Sequence, residues 1–75
     1  MSINVNDYGE FGQPADSRLI ECGHRRYVER KLPNGTRELR RESGEVLGEF
    51  RFAYHVRWAV QTDAERLDGI IGGAQ

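Results

Sequence analysis

A single cysteine, Cys22, is present among the 75 residues, so no disulfide can form within one chain. A lone thiol is more typical of a reducing compartment than of a secreted scaffold. The stretch from Met1 to Asp7 has neither a basic start nor an apolar core, as a signal peptide would. Apolar runs also stay well short of the ~20 residues that span a bilayer. We therefore expect a cytoplasmic protein that does not enter the membrane.

Residues that build metal and catalytic centres are equally scarce. Cys22, His24 and His55 are the candidates for a zinc site, but they lack a fourth ligand and a paired spacing. The glycines are scattered at predicted turns and ends, and they form no phosphate-binding loop. A chain this short also leaves little room for a substrate pocket. We predict no metal, no cofactor and no catalytic residues, and hence a protein that is not an enzyme.

The net charge of −1 conceals an uneven distribution along the chain. Residues 18–57 carry nine arginines and one lysine against six glutamates, whereas both ends are acidic. The preference for arginine is typical of a GC-rich genome, and the planar guanidinium group pairs well with carboxylate or phosphate. The basic centre is the best compositional indication of charged partners.

Residues 1–17 predict a flexible, irregular N-terminal arm, because Gly9, Gly12 and Pro14 interrupt every periodic pattern. Tyr8 and Phe11 are unusual in a solvated tail. They either pack on the edge of the domain or dock on a partner.

Residues 18–75 predict a single small β-rich domain. Strands are expected at about 18–22, 25–32 and 36–41, with turns at 33–35 and 42–44 that each place a glycine in the bulge position. Two three-residue loops of this kind fix the register of the hairpins. The expected cross-strand pairs are Leu32–Thr36, Arg30–Glu38, Val28–Arg40, Arg41–Glu45, Leu39–Leu47 and Arg37–Glu49.

A fourth strand is predicted over residues 46–61, because large apolar residues occupy every second position. They are Phe50, Phe52, Tyr54, Val56, Trp58 and Val60. A helix is the competing interpretation, since Val56, Val60 and Ala64 also fit a helical spacing. A capping box at residues 62–65 predicts a short helix over 63–71, with Ile70 or Ile71 on its apolar face and an end at residues 72–73. The expected fold class is α+β, mainly β: a three- to four-stranded antiparallel meander with a short C-terminal helix.

The predicted long strand extends beyond its hairpin partners, so part of its apolar side needs another cover. We assign Tyr54, Val56, Trp58 and Val60 to the core or to an oligomer interface. A homodimer is slightly favoured.

The polar side of the same strand would carry Arg51, His55 and Arg57, joined by Arg25, Arg37, Arg41 and Tyr27 from neighbouring strands. Such a face either keeps an exposed sheet soluble or recognises anionic groups. These seven residues, with Tyr8 and Phe11, are the predicted partner-binding set.

Three function classes follow. The first is a small protein-interaction module, regulator or inhibitor, of a size typical of bacterial or phage accessory proteins, that binds a protein through a sheet edge, the arginine face and the aromatic arm. The second is a nucleic-acid-binding sheet, which the interleaved glutamates disfavour. The third is a structural or assembly subunit.

Overall fold

The computed structural model describes residues 2–72, and the side chains of residues 2–69. Five strands precede one helix along the chain. They are β1 Ile3–Val5, β2 Ser17–Cys22, β3 Arg25–Lys31, β4 Arg37–Arg41, β5 Val46–Phe50 and α1 Ala53–Gly72. The predicted place of Ile70 or Ile71 on the apolar face of the helix concerns side chains outside the described ones. Residue 73, at the predicted end of the helix, lies outside the described residues.

The strands form one antiparallel sheet in the order β1-β2-β3-β4-β5, so the fold is α+β and mainly β. The sheet has five strands rather than the predicted three to four. The additional strand is β1, in the segment predicted to be an irregular arm, where Ile3 pairs with Cys22 and Val5 with Ile20. A strand of three residues is too short to show a recognisable period in the sequence. It is stabilised by pairing with β2 and by packing Ile3 and Val5 against the core.

Both predicted turns are present. The amide of Leu32 donates to the carbonyl of Thr36 at 2.9 Å, and Gly35 has a positive φ of 87°. At the second turn the amide of Gly44 donates to the carbonyl of Arg41 at 2.8 Å. Glycine accepts this backbone conformation without strain, which is why both turns could be predicted. Between β3 and β4 the expected register is confirmed, with Arg30 opposite Glu38 and Val28 opposite Arg40.

A β-bulge changes the register between β4 and β5. Arg40 pairs with Val46 but Leu39 pairs with Gly48, so Leu47 is the additional residue. The predicted pairs Leu39–Leu47 and Arg37–Glu49 are therefore wrong, and Arg37 lies opposite Phe50. A Cβ at position 48 would come within 3.3 Å of the Phe50 ring, so glycine permits the close approach at the bulge.

The strand predicted over residues 46–61 is wrong beyond Phe50, because α1 begins at Ala53. Val56, Val60 and Ala64 are fully buried against the sheet at four-residue intervals, which is the spacing of one helical face. Trp58 lies outside this buried stripe and is 64% exposed. A strand would place all the large apolar residues of this segment on one face, which the rest of the chain would have to bury. The helix needs to bury only Val56, Val60 and Ala64. The capping box at residues 62–65 lies inside the helix and does not start it.

The core lies between α1 and one face of the sheet. Its buried members are Ile20, Cys22, Tyr27, Leu39, Val56, Val60 and Ala64. Burial of each larger aliphatic or aromatic side chain contributes roughly 1.5–3 kcal/mol. The core thus holds one face of α1 on the sheet, while Tyr54 and Trp58 of the same helix remain largely exposed.

Candidate interaction site

A groove of about 230 Å³ separates the edge strand β5 from α1. Its lining residues are Leu47, Phe50, Trp58, Ala59, Thr62, Asp63 and Arg66. Trp58, Thr62 and Arg66 recur every four residues, so they form one wall along the helix. Leu47 and Phe50 form the other wall and are half-buried.

The bulge is what builds the strand wall. Leu47 and Phe50 are three residues apart, and in an unbroken strand side chains with an odd separation point to opposite faces. The additional residue at Leu47 changes that parity, so both side chains line the groove. The groove is therefore a consequence of the irregular β4–β5 register.

The helix wall is fixed by an ionic contact between α1 and the sheet. Arg41 donates from Nε to Oδ2 of Asp63 at 3.1 Å and from an amino nitrogen to Oδ1 at 2.6 Å. The buried Tyr27 hydroxyl donates to the same carboxylate at 2.8 Å. The Arg41 hydrogen bonds hold the pKa of Asp63 below its usual value. Burial and the neighbouring carboxylate raise the pKa of Tyr27, so the phenol stays protonated as a donor.

Because Arg41 already neutralises Asp63, the guanidinium of Arg66 at the groove is left with a weak contact. It lies 3.7 Å from Oδ1 of Asp63 and its side chain is 68% exposed. The groove therefore carries one accessible positive charge beside an apolar floor.

The outer side of the helix start carries an aromatic cluster of Phe52, Tyr54 and His55. The rings of Phe52 and Tyr54 stack with their centroids 5.5 Å apart, and His55 lies 4.3 Å from Tyr54. All three side chains are exposed. Exposed aromatic groups of this kind are common at protein contacts, where they bury a large area with few rotatable bonds.

A second ionic cluster surrounds Glu29, whose side chain is fully buried. Arg18 donates to Oε1 at 3.1 and 2.9 Å, and Arg37 lies 3.3 Å from Oε2. The Tyr8 hydroxyl donates to the same carboxylate. Lys31 lies 4.2 Å from the centroid of the Tyr8 ring, so this tyrosine joins the loop between β1 and β2 to the sheet as a structural contact.

The single basic face expected from the sequence does not form. Arg25, Arg37 and Arg41 lie on the side of the sheet that faces α1, and each contacts a carboxylate, that of Asp68, Glu29 or Asp63 respectively. Tyr27 is buried in the core and is not available to a partner. Arg25 and Arg41 thus join the sheet to carboxylates of α1, and Arg37 pairs with a carboxylate of β3, so these arginines do not form an open basic surface.

The remaining predicted contact residues are accessible. Arg51, His55 and Arg57 are exposed before and along the first turns of α1, and the carbonyl of Arg51 accepts a hydrogen bond of 2.8 Å from Arg37. Phe11 is 70% exposed with a positive φ of 55°, an uncommon conformation for a residue with a side chain. Tyr54 and Trp58 are exposed rather than packed in the core, whereas Val56 and Val60 are core residues.

Of the seven groove residues, Trp58 alone belongs to the contact and interface residues predicted from the sequence. The six others are Leu47, Phe50, Ala59, Thr62, Asp63 and Arg66. Thr62 and Arg66 could have been found from the four-residue recurrence that begins at Trp58, but this recurrence has a meaning only if the segment is a helix. Leu47 depends on the bulge, which has no comparable signal.

Within residues 2–72, no group of His, Cys, Asp or Glu side chains is arranged to hold a metal ion. Over the same residues, α1 is not apolar enough along its length to cross a bilayer. No family model, no curated protein and no solved structure matches the chain.

Proposed function

We propose that this chain is a non-enzymatic protein-interaction module that holds a protein partner on the groove between β5 and α1. The observation that carries the proposal is Trp58, a large apolar ring that is 64% exposed at the rim of an apolar groove. Tryptophan is among the residues most enriched at energetic centres of interfaces, and a partner would remove its ring from water. A module of this size acts on its partner by occupying a surface, as a small regulator or inhibitor does.

The distribution of charge favours a protein over nucleic acid. Affinity for phosphates depends on cations that are free to displace counterions. Arg18, Arg25 and Arg41 are instead engaged with carboxylates of this chain at 2.9, 2.9 and 2.6 Å. The exposed arginines beside the aromatic surface, Arg51, Arg57 and Arg66, would suit rim contacts to carboxylates of a protein.

The experiment is affinity capture from cells that naturally produce the protein, with two matched variants. Trp58→Ala removes the ring from the groove, whereas Gln61→Ala changes an exposed residue of the same helix that does not line the groove. Each capture is carried out with and without nuclease, and circular dichroism establishes that both variants remain folded.

The proposal expects a protein that is retained by the original chain and by Gln61→Ala, with or without nuclease, and that is lost with Trp58→Ala. Retention that disappears after nuclease treatment would instead favour the nucleic-acid-binding class. Retention unaffected by Trp58→Ala would contradict the assignment of the groove as the contact.

A further inference from the structure

We propose that the groove takes an extended peptide segment of the partner, which adds to β5 as a sixth strand and places an apolar side chain and an acidic side chain on the groove side. The inference rests on the proposed function and specifies the chemistry of the partner. The segment contains three consecutive residues in which a basic residue lies between an apolar and an acidic one. The two outer side chains face the groove, and the order can run in either chain direction.

The first support is the unpaired edge of β5. In the strand order β5 is terminal, and among residues 2–72 no strand pairs with its outer side. Arg41 and Glu45 are joined by a backbone hydrogen bond of 2.9 Å, and such pairs alternate with non-bonded pairs along an antiparallel ladder. With the bulge counted, the N–H and C=O groups of Val46 and Glu49 point outward. An added strand would satisfy them.

The second support is the position of the groove directly inside this edge. A strand that pairs with β5 directs alternate side chains toward α1. There they meet Leu47 and Phe50 on one side and Trp58 on the other. The space of about 230 Å³ accepts a large aliphatic or aromatic side chain of the segment.

The third support is charge on the groove side. Arg66 lines the groove with a side chain that is 68% exposed, and the carboxylate nearest to it is already bound by Arg41. An acidic residue two positions from the apolar one lies on the same side of an extended segment. Its carboxylate would pair with Arg66.

The fourth support is charge on the opposite face. Glu49 lies directly opposite Glu38, and like charges at facing positions destabilise a sheet. Glu38 is paired with Arg40 at 2.8 Å, while Glu49 has, among the described side chains, only the Thr36 hydroxyl at 3.4 Å. A basic residue between the apolar and acidic positions of the segment would face Glu49. An added strand would therefore pair an acidic residue with Arg66 on the groove side of the sheet and a basic residue with Glu49 on the opposite face.

The probe is a phage-displayed library of random linear heptapeptides, panned on the immobilised full chain. We expect enriched peptides to share the alternating apolar, basic and acidic pattern. Panning on Arg66→Glu should replace the acidic position by a basic one. Panning on Arg26→Glu, which reverses an exposed arginine of β3 outside the groove, should leave the pattern unchanged.

Main-chain pairing is tested on an enriched peptide synthesised with single N-methyl groups. Methylation at alternate amides should weaken binding about tenfold, while the intervening positions tolerate it, since only alternate N–H groups face β5. Hydrogen exchange of the Val46 and Glu49 amides should slow in the complex. On the protein, Val46→Pro should weaken binding and Val46→Thr, which keeps the N–H, should not.

Enriched peptides that lack the alternating pattern, or that bind without protecting the β5 amides, would overturn strand addition. So would slow exchange of these amides in the free protein together with a dimeric mass, since a second copy would then occupy the edge. If affinity capture depends on Trp58 but no peptide is enriched, the proposed function stands and strand addition fails. If capture does not depend on Trp58, the proposed function itself fails.

Discussion

The guanidinium of Arg41 on β4 binds the carboxylate of Asp63 on α1 through two hydrogen bonds, of 3.1 and 2.6 Å. This contact joins the helix to β4, the strand beside the edge strand β5, and Asp63 also lines the groove. The Asp63 side chain is 5% exposed and that of Arg41 is 22% exposed, so the pair is largely removed from water. Breaking such a pair leaves one charge without its partner, which costs more than the pair contributes when intact.

Replacing Asp63 with asparagine should therefore lower the free energy of unfolding by about 2–3 kcal/mol. The control is Glu65→Gln, which removes an exposed carboxylate from the same helix and should change stability by less than about 0.5 kcal/mol. Urea denaturation followed by circular dichroism measures both. Equal effects of the two variants would mean that Asp63 does not hold the helix.

The same carboxylate should make stability depend on pH. Arg41 lowers the pKa of folded Asp63 below the value of about 3.9 typical of an unfolded chain. Its contribution is then complete above the unfolded pKa and is lost as the pH falls through the folded pKa. We expect the difference in unfolding free energy between the original chain and Asp63→Asn to shrink between about pH 5 and pH 2. A difference that stays constant across this range would contradict the assignment.

Glu29 should be the second position at which a single carboxylate matters. Its buried side chain is contacted by Arg18 and Arg37, so Glu29→Gln would leave two guanidinium groups without the carboxylate they share. We expect a loss of about 2–4 kcal/mol in unfolding free energy. Glu38→Gln, which affects a pair with Arg40 on the open face of the sheet, should cost less than about 1 kcal/mol. Equal losses of unfolding free energy for the two variants in urea denaturation would show that the buried Glu29 cluster contributes no more than an exposed ion pair.

Trp58 and Val60 are two positions apart and should differ sharply. Val60→Ala removes two methyl groups from the core and should cost about 2 kcal/mol. Trp58→Ala removes an exposed ring and should change the free energy of unfolding by less than about 0.5 kcal/mol. If the segment were an extended strand with both residues on one face, the tryptophan variant would be the more damaging of the two.

The hairpin turns could be predicted because their chemistry is local. Gly35 and Gly44 occupy positions that need a positive φ, and the neighbouring residues favour the same turns. The β3–β4 register follows from the turn length and was correct for the same reason. The predicted β4–β5 register was wrong, because the bulge at Leu47 lies beyond the turn, and the turn length does not determine it.

The segment after Phe50 could not be decided from its own pattern. Apolar residues at every second position also supply Val56 and Val60, which are four apart, so a period of two contains a helical stripe. Tertiary packing decides between the two. Val56, Val60 and Ala64 are buried against the sheet, whereas the rings of Phe52, Tyr54 and Trp58 are exposed. The groove depends on both this helix and the bulge. The residues of its strand wall and most of those of its helix wall could therefore not be predicted from the sequence.

The most direct test of the central claim is fluorine NMR of the chain labelled with 5-fluorotryptophan, because the sequence contains one tryptophan. We expect one resonance with a solvent isotope shift near that of an exposed ring in the free chain. Addition of the unlabelled partner identified by capture should shift the resonance and reduce its isotope shift. A resonance that keeps its position and its isotope shift while the complex forms would show that Trp58 is not part of the contact.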